Sequence, residues 1–281
     1  MDRPVISFLT DFGPELAPAI CRGVILSIAR DVQIVDISHN VRKFAILEGA
    51  YLLWSAVPWL PVGIHLVVVD PGVGTDRLPI AILTSRGDIL VGPDNGVLQP
   101  AAGILGGVVE ARVLENRDLM LTRLSSTFHG RDVFAPVAAH LALGRRFEDV
   151  GPAIDPGHLV PLAFPSPAIS DGVIEATVAF VDSFGNLRLF ATMDDLTAAL
   201  GELTLGSSIT VELPGASSGP RAEAATLART FGDRPVGSLL VYVDSSGLLA
   251  ISVNQGSAAD RTGAETGRLV RLHSARSRGG G

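Results

Sequence analysis

Ile64-His65-Leu66-Val67-Val68-Val69-Asp70-Pro71-Gly72-Val73-Gly74 is the stretch that decides how this chain folds. An apolar run, interrupted only by His65 and rich in β-branched residues, stops at an acid followed by turn residues. Such a run reads as a strand buried on both faces, the kind found in parallel sheets. On its N-terminal side the spacing predicts strands over residues 5–9 and 33–37, and helices over 17–30 and 45–56. On its C-terminal side it predicts strands over 80–84 and 88–91, and a helix over 133–143. This alternation predicts an α/β domain with a central, mostly parallel sheet, over residues 1–163.

The pattern then changes. Prolines at 161, 165 and 167 suit a linker, placed at 164–170. Over 171–281 helical periodicity gives way to short β patterns at 173–181, 187–189, 208–212, 238–243, 248–253 and 269–272, separated by Gly, Ser, Asn and Asp. That spacing predicts an all-β domain, a small antiparallel barrel or a sandwich. Residues 214–220 read as a loop and 277–281 as a frayed tail.

Composition narrows the class. Of the residues, 47% are hydrophobic, the net charge is −7, and Lys43 is the only lysine. No basic run exists to track a phosphate backbone, so nucleic acid is not an expected partner. Cys21 alone allows neither an intrachain disulfide nor a thiolate cluster. The uncharged run 49–69 is long enough to suggest a membrane span. Pro58 and Pro61 divide it into a helix end, a turn and a strand. No charged stretch leads into an apolar segment at the start, so a cytoplasmic protein with no membrane partner is expected.

Three strands are predicted to end in an acid: Asp11, Asp70 and Asp94. In open α/β sheets ligands gather at the carboxyl ends of strands. Asp at a strand end is also ordinary turn and capping chemistry. Asp70 and Arg77 lie seven apart across a glycine-rich turn. Arg within about 4–6 Å favours the charged form of a carboxylate, and an ionised carboxylate can orient a water or take its proton. His129, in Thr127-Phe128-His129-Gly130-Arg131-Asp132, titrates near neutrality and could share that work, or cap the helix that follows. No HxxxH or HxH spacing predicts a zinc site. Asp182-Ser183-Phe184-Gly185-Asn186 and Asp244-Ser245-Ser246-Gly247 follow β runs and have the composition of ordinary turns.

Six motifs in order carry a resemblance across nearly the whole chain: Thr10-Asp11-Phe12-Gly13, Asp70 to Gly74, Gly92-Pro93-Asp94-Asn95-Gly96, Thr127 to Asp132, Phe184-Gly185-Asn186, and Asn254 to Ala259. The chain resembles the S-adenosyl-L-methionine (SAM) hydroxide adenosyltransferases, relatives of the fluorinases and chlorinases. The resemblance implies a C-terminal β-barrel and a homotrimer with its sites at subunit interfaces. It implies hydrolysis of SAM to adenosine and L-methionine, with SAM as substrate and no cofactor. Asp70, Arg77 and His129 take the catalytic positions. Asp11 would accept from the ribose hydroxyls, Asp182 and Asn186 would hold the methionine ends with Ser245 assisting, and Phe44 and Phe231 would pack on ribose or adenine. Phe184 joins the substrate contacts, and Val253, Asn254 and Gln255 would supply backbone contacts to the adenine edge.

Departures bear on the reaction. The second-domain turn of the family reads Asn-Ser-x-Gly, and here Asp244 replaces the Asn. The halogenases carry tyrosine where this chain has Asp70. Gly130 stands where fluorinases have a halide-binding serine, and chlorinases share the glycine. An anionic Asp70 would repel halide. Two alternatives stay open at this point: a SAM-dependent halogenase, and a SAM- or adenosine-binding module without turnover.

Overall fold

The computed structural model describes residues 3–170, 172–213 and 221–274, so the predicted loop 214–220 and the tail 277–281 lie outside it. Two compact units divide the chain at Ala163/Phe164. In the first, the elements in order are β1 (Val5–Thr10), α1 (Leu16–Ile28), β2 (Gln33–Ser38), α2 (Ile46–Ala56), β3 (Ile64–Val68), β4 (Pro79–Thr84), β5 (Ile89–Pro93), α3 (Gln99–Ile104), β6 (Val108–Val113), α4 (Ala135–Ala142) and β7 (Ala153–Ile154). The sheet runs β2-β1-β3-β5-β4-β6-β7. Its first four strands are parallel, and β4, β6 and β7 extend it antiparallel.

Every residue of β3 is buried, His65 included, as its largely apolar run requires. The uncharged run 49–69 resolves into the end of α2, a 3-10 turn at Val57–Trp59 and β3. Among the described residues no helix is long and apolar enough to cross a membrane. Phe8, Leu66, Val68, Phe134 and Val137 lie in one apolar core with Ile25 of α1.

A Ser-His-Asp arrangement is sealed inside this sheet. Ser7 and His65 pair across β1 and β3, with Ser7 Oγ 2.7 Å from His65 Nδ1, and His65 Nε2 lies 3.0 Å from Asp88 Oδ1. All three are buried. Asp88 also accepts from Arg86 and the Gly63 amide, and against the opposing effect of burial, His65 and then Arg86 hold its carboxyl well below the usual range. This network ties strands together and presents no nucleophile to solvent.

The second unit contains β8 (Ala168–Ser170), β9 (Val173–Val181), β10 (Leu187–Leu189), α5 (Met193–Leu200), β11 (Ser208–Leu213), β12 (Arg221–Leu227), β13 (Leu239–Val243), β14 (Leu249–Val253), α6 (Ala258–Thr262) and β15 (Leu269–Ser274). The order β10-β14-β13-β12-β11-β15-β9 closes on itself through β10–β9, a seven-stranded barrel. Closure removes the exposed edges that a sandwich would have kept. Residues 164–170 belong to this unit: Phe164 stacks on Phe190 at 4.8 Å and β8 pairs with β9. Leu187, Leu196, Val241, Ile251 and Leu272 lie in the barrel's own core.

Candidate active site

The register of the parallel strands brings the two key acids to one edge. Thr10 pairs with Val68 in parallel register, so Asp11 and Asp70 follow neighbouring strands at the same, C-terminal end of the sheet. Burial and the nearby Asp70 charge push the Asp11 carboxyl upward, opposed by the amide of Phe44. Asp70 is 4% exposed and Arg77 9%. Arg77 Nε donates to Asp70 Oδ1 at 2.9 Å and its Nη2 to Oδ2, a two-point grip that a Lys could not make. The same Nη2 lies 2.9 Å from His129 Nδ1. Phe134 carries the guanidinium, 5.1 Å from its ring centroid. Burial, then the Arg77 charge, lower the His129 pKa below 6.5, while Asp70 and Asp132 oppose them.

Backbone packing joins the two segments that hold these groups. Gly74 sits at φ +79°, and a Cβ there would lie 2.6 Å from the Ser126 carbonyl oxygen. His129 leads into a π-helical turn, Gly130–Phe134, ahead of α4. A Cβ on Gly130 would meet Phe12 Cζ at 2.8 Å. We predict that Gly74→Ala lowers kcat by at least about tenfold. The left-handed conformation costs an L-residue about 1–2 kcal/mol, and relief of the clash parts His129 from Arg77. Steady-state kinetics on the folded variant check this; an unchanged kcat refutes it.

Phe44, 68% exposed, also has a positive φ of 67°. Its amide donates to Asp11 Oδ2 at 2.9 Å. Asp94 departs from the expectation of a shared crevice. It is buried, and its Oδ1 accepts the Val160 amide at 2.9 Å, so it fastens the chain leaving the sheet.

In the barrel unit, Phe184, Asn186, Phe231, Val253, Asn254 and Gln255 line one cavity of about 560 Å³ together with Gly256 and Ser257. Close approach of two turns builds it: a Cβ on Gly185 (φ +78°) would lie 2.1 Å from Ser257 Oγ. Asp182 sits beneath and accepts from the Phe184 and Asn186 amides and from Asn186 Nδ2. The Asn254 amide donates to the Ser238 carbonyl. Ser245 is exposed and outside the cavity lining. Asp244, whose role the sequence left open, pairs with Arg188 and accepts the Ser246 and Leu248 amides, a turn-building task.

Several contributors were passed over in the sequence. Phe134 seats Arg77, and Phe128 carries Arg131 at 4.9 Å while meeting Phe12 edge to face. Ser257 caps α6 and closes the cavity. None stands out in the sequence, because aromatics and serines are equally common in cores and turns. Arg188 had a usable signal: a cation two residues past the acid-bearing turn Asp182–Asn186.

Comparison with known proteins accords with this geometry. The N-terminal domain model of the SAM hydroxide adenosyltransferases matches residues 6–151, and the C-terminal domain model residues 176–271. A Salinispora arenicola protein named (R)-S-adenosyl-L-methionine hydrolase is 46% identical over 273 residues, covering 96% of this chain and 97% of that one. A Thermus thermophilus protein of the same name is 38% identical, covering 96% and 99%. The crystal structure of an uncharacterized conserved protein from Thermotoga maritima superposes with a TM-score of 0.86 at 35% identity, covering 95% and 99%. With both domain models matched in order over most of its length, the chain belongs to the SAM hydroxide adenosyltransferase family.

Proposed function

We propose that this protein is an enzyme that hydrolyses S-adenosyl-L-methionine to adenosine and L-methionine. The observation that carries the reading is the partly buried Asp70–Arg77–His129 contact set, in a chain 46% identical to a named hydrolase of this substrate. Water attacks C5′ of the ribose, the C5′–O bond forms, and the C5′–S bond breaks with its electron pair passing to sulfur. The sulfonium leaves as a neutral thioether, so departure needs no general acid. What the protein must supply is an aligned water and a place for its proton.

Asp11 accepts from the ribose hydroxyls. Phe44 and Phe231 pack on ribose or adenine, with Phe184, Val253 and Gln255 around the base. Asp182 and Asn186, with Ser245, hold the methionine ends. The catalytic groups and the apolar cavity occupy different units, and Phe44 and Phe184 are both strongly exposed, 68% and 76%. These features support a homotrimer whose sites form between the first unit of one subunit and the barrel of the next. The relatives' names specify the (R) sulfonium epimer, and we assign that epimer as the preferred substrate here.

The test is incubation with a mixture of SAM epimers in the presence and absence of excess chloride, with products separated by chromatography. Adenosine and methionine are expected, with the (R) epimer consumed first and no 5′-chloro product. Absence of adenosine above the uncatalysed background overturns the hydrolase reading. A chlorinated nucleoside indicates the halogenase instead.

A further inference from the structure

We infer that His129 is a hydrogen-bond donor to the attacking water through Nε2–H, and that Asp70 receives the proton the water loses. The inference rests on the hydrolase reading and settles which member of the cluster is the base.

The argument is one of donors and acceptors. A guanidinium has N–H donors and no acceptor. Arg77 Nη2 lies 2.9 Å from His129 Nδ1, so Nδ1 must accept and carries no proton. A neutral imidazole has a single N–H, which is then on Nε2. An imidazolium would set one N–H against another. For His129 to act as base it would have to be protonated at Nδ1, which faces Arg77, or at Nε2, which already holds a proton. Neither is open while Arg77 stays in place. Arg77 does stay: it is largely buried, gripped at two points by Asp70 and seated on Phe134.

Asp70 is the member that can still accept. Each carboxylate oxygen has a second lone pair beyond the one facing Arg77. The other charged groups around His129 do not compete. Asp132 is occupied by the Ser125 amide at 2.7 Å and by the Arg131 guanidinium at 2.5 and 3.0 Å. Burial and Arg77 outweigh Asp70 and Asp132, and keep the imidazole neutral at neutral pH. The water thus accepts from His129 Nε2–H and donates to Asp70. Its remaining lone pair forms the bond to C5′, the C5′–S pair goes to sulfur, and the proton passes from Asp70 to solvent.

Two measurements test this. Nitrogen NMR of the protein labelled with ¹⁵N-histidine, with the His129 signals assigned by their loss in His129→Gln, should show an unprotonated Nδ1 and a protonated Nε2 at pH 7.5. The opposite tautomer, or an imidazolium, overturns the inference whether or not SAM is hydrolysed. In kinetics, His129→Ala should lose roughly 10²–10³ in kcat, the usual loss for one positioned donor. His129→Gln, whose amide can donate, should recover at least about tenfold of that. In the unsubstituted protein kcat/KM should fall only on the acid side, below the ordinary imidazole range, where His129 gains a proton against Arg77, and this acid limb should vanish in His129→Gln. Gln no better than Ala, with the limb retained, overturns the donor role. Wild-type protein producing no adenosine would instead remove the hydrolase reading and leave the NMR result standing.

Discussion

Asp70→Asn is expected to lower kcat for SAM hydrolysis by roughly 10³–10⁴ while KM moves by less than about fivefold. The upper part of the range for a positioned general base applies because the same atom also orients the water. The amide keeps the shape of the carboxylate but cannot take a proton, and its NH₂ meets the Arg77 donor. Arg77, held by Asp70 on one side and in contact with His129 on the other, loses its counter-charge. Removing one partner of a buried ion pair costs about 3–5 kcal/mol, so the melting temperature should also drop by on the order of 10 °C. Kinetics therefore belong well below that melt, normalised to folded protein. A loss concentrated in KM would place Asp70 in ground-state binding and refute the assignment.

Gly185→Ala should be the most damaging single methyl in the barrel unit. The glycine has φ +78°, and its new Cβ would fall 2.1 Å from Ser257 Oγ and 3.0 Å from Ser257 Cα. Rotating the serine relieves the first contact but not the second, which is backbone. Ala259 also donates its amide to the Gly185 carbonyl, so the turn cannot drift without breaking that bond. The left-handed conformation costs about 1–2 kcal/mol and overpacking about 1–3 kcal/mol. Together they predict a loss of about 2–5 kcal/mol in denaturant unfolding. Because the same contact shapes the cavity lined by Phe184 and Asn254, KM should rise about tenfold or more with kcat less affected. Unaltered stability and KM would mean the two turns need not touch.

The strands of the first unit were legible because their signal is local. β1 and β3 are apolar runs that end in an acid, and a buried parallel strand leaves that mark whatever surrounds it. β6, with Glu110 and Arg112 breaking its apolar character, went unread as an outer strand of the sheet. β12 was missed for another reason: Arg-Ala-Glu-Ala-Ala-Thr-Leu has weak β propensity and is a strand because β11 and β13 flank it. α5 carried a readable capping box, Thr192 with Asp195, hidden among β-rich neighbours. The helix expected over 133–143 begins earlier as a π turn, since the tight fit of Gly130 against Phe12 shapes its start.

The sequence by itself determined the chemical inventory and the strand ends that carry it: Asp11 and Asp70 after apolar runs, Arg77 across a glycine turn, His129 ahead of a helix. Side-chain type and local periodicity are enough for that. Only the tertiary structure separated the two acids, setting Asp70 beside Arg77 and Asp94 under the Val160 amide. It also set which imidazole nitrogen of His129 faces Arg77. Arg77 and His129 are 52 residues apart, and the tautomer of an imidazole depends on which of its nitrogens meets a donor. That is a matter of distance and angle between segments that the chain's order does not encode.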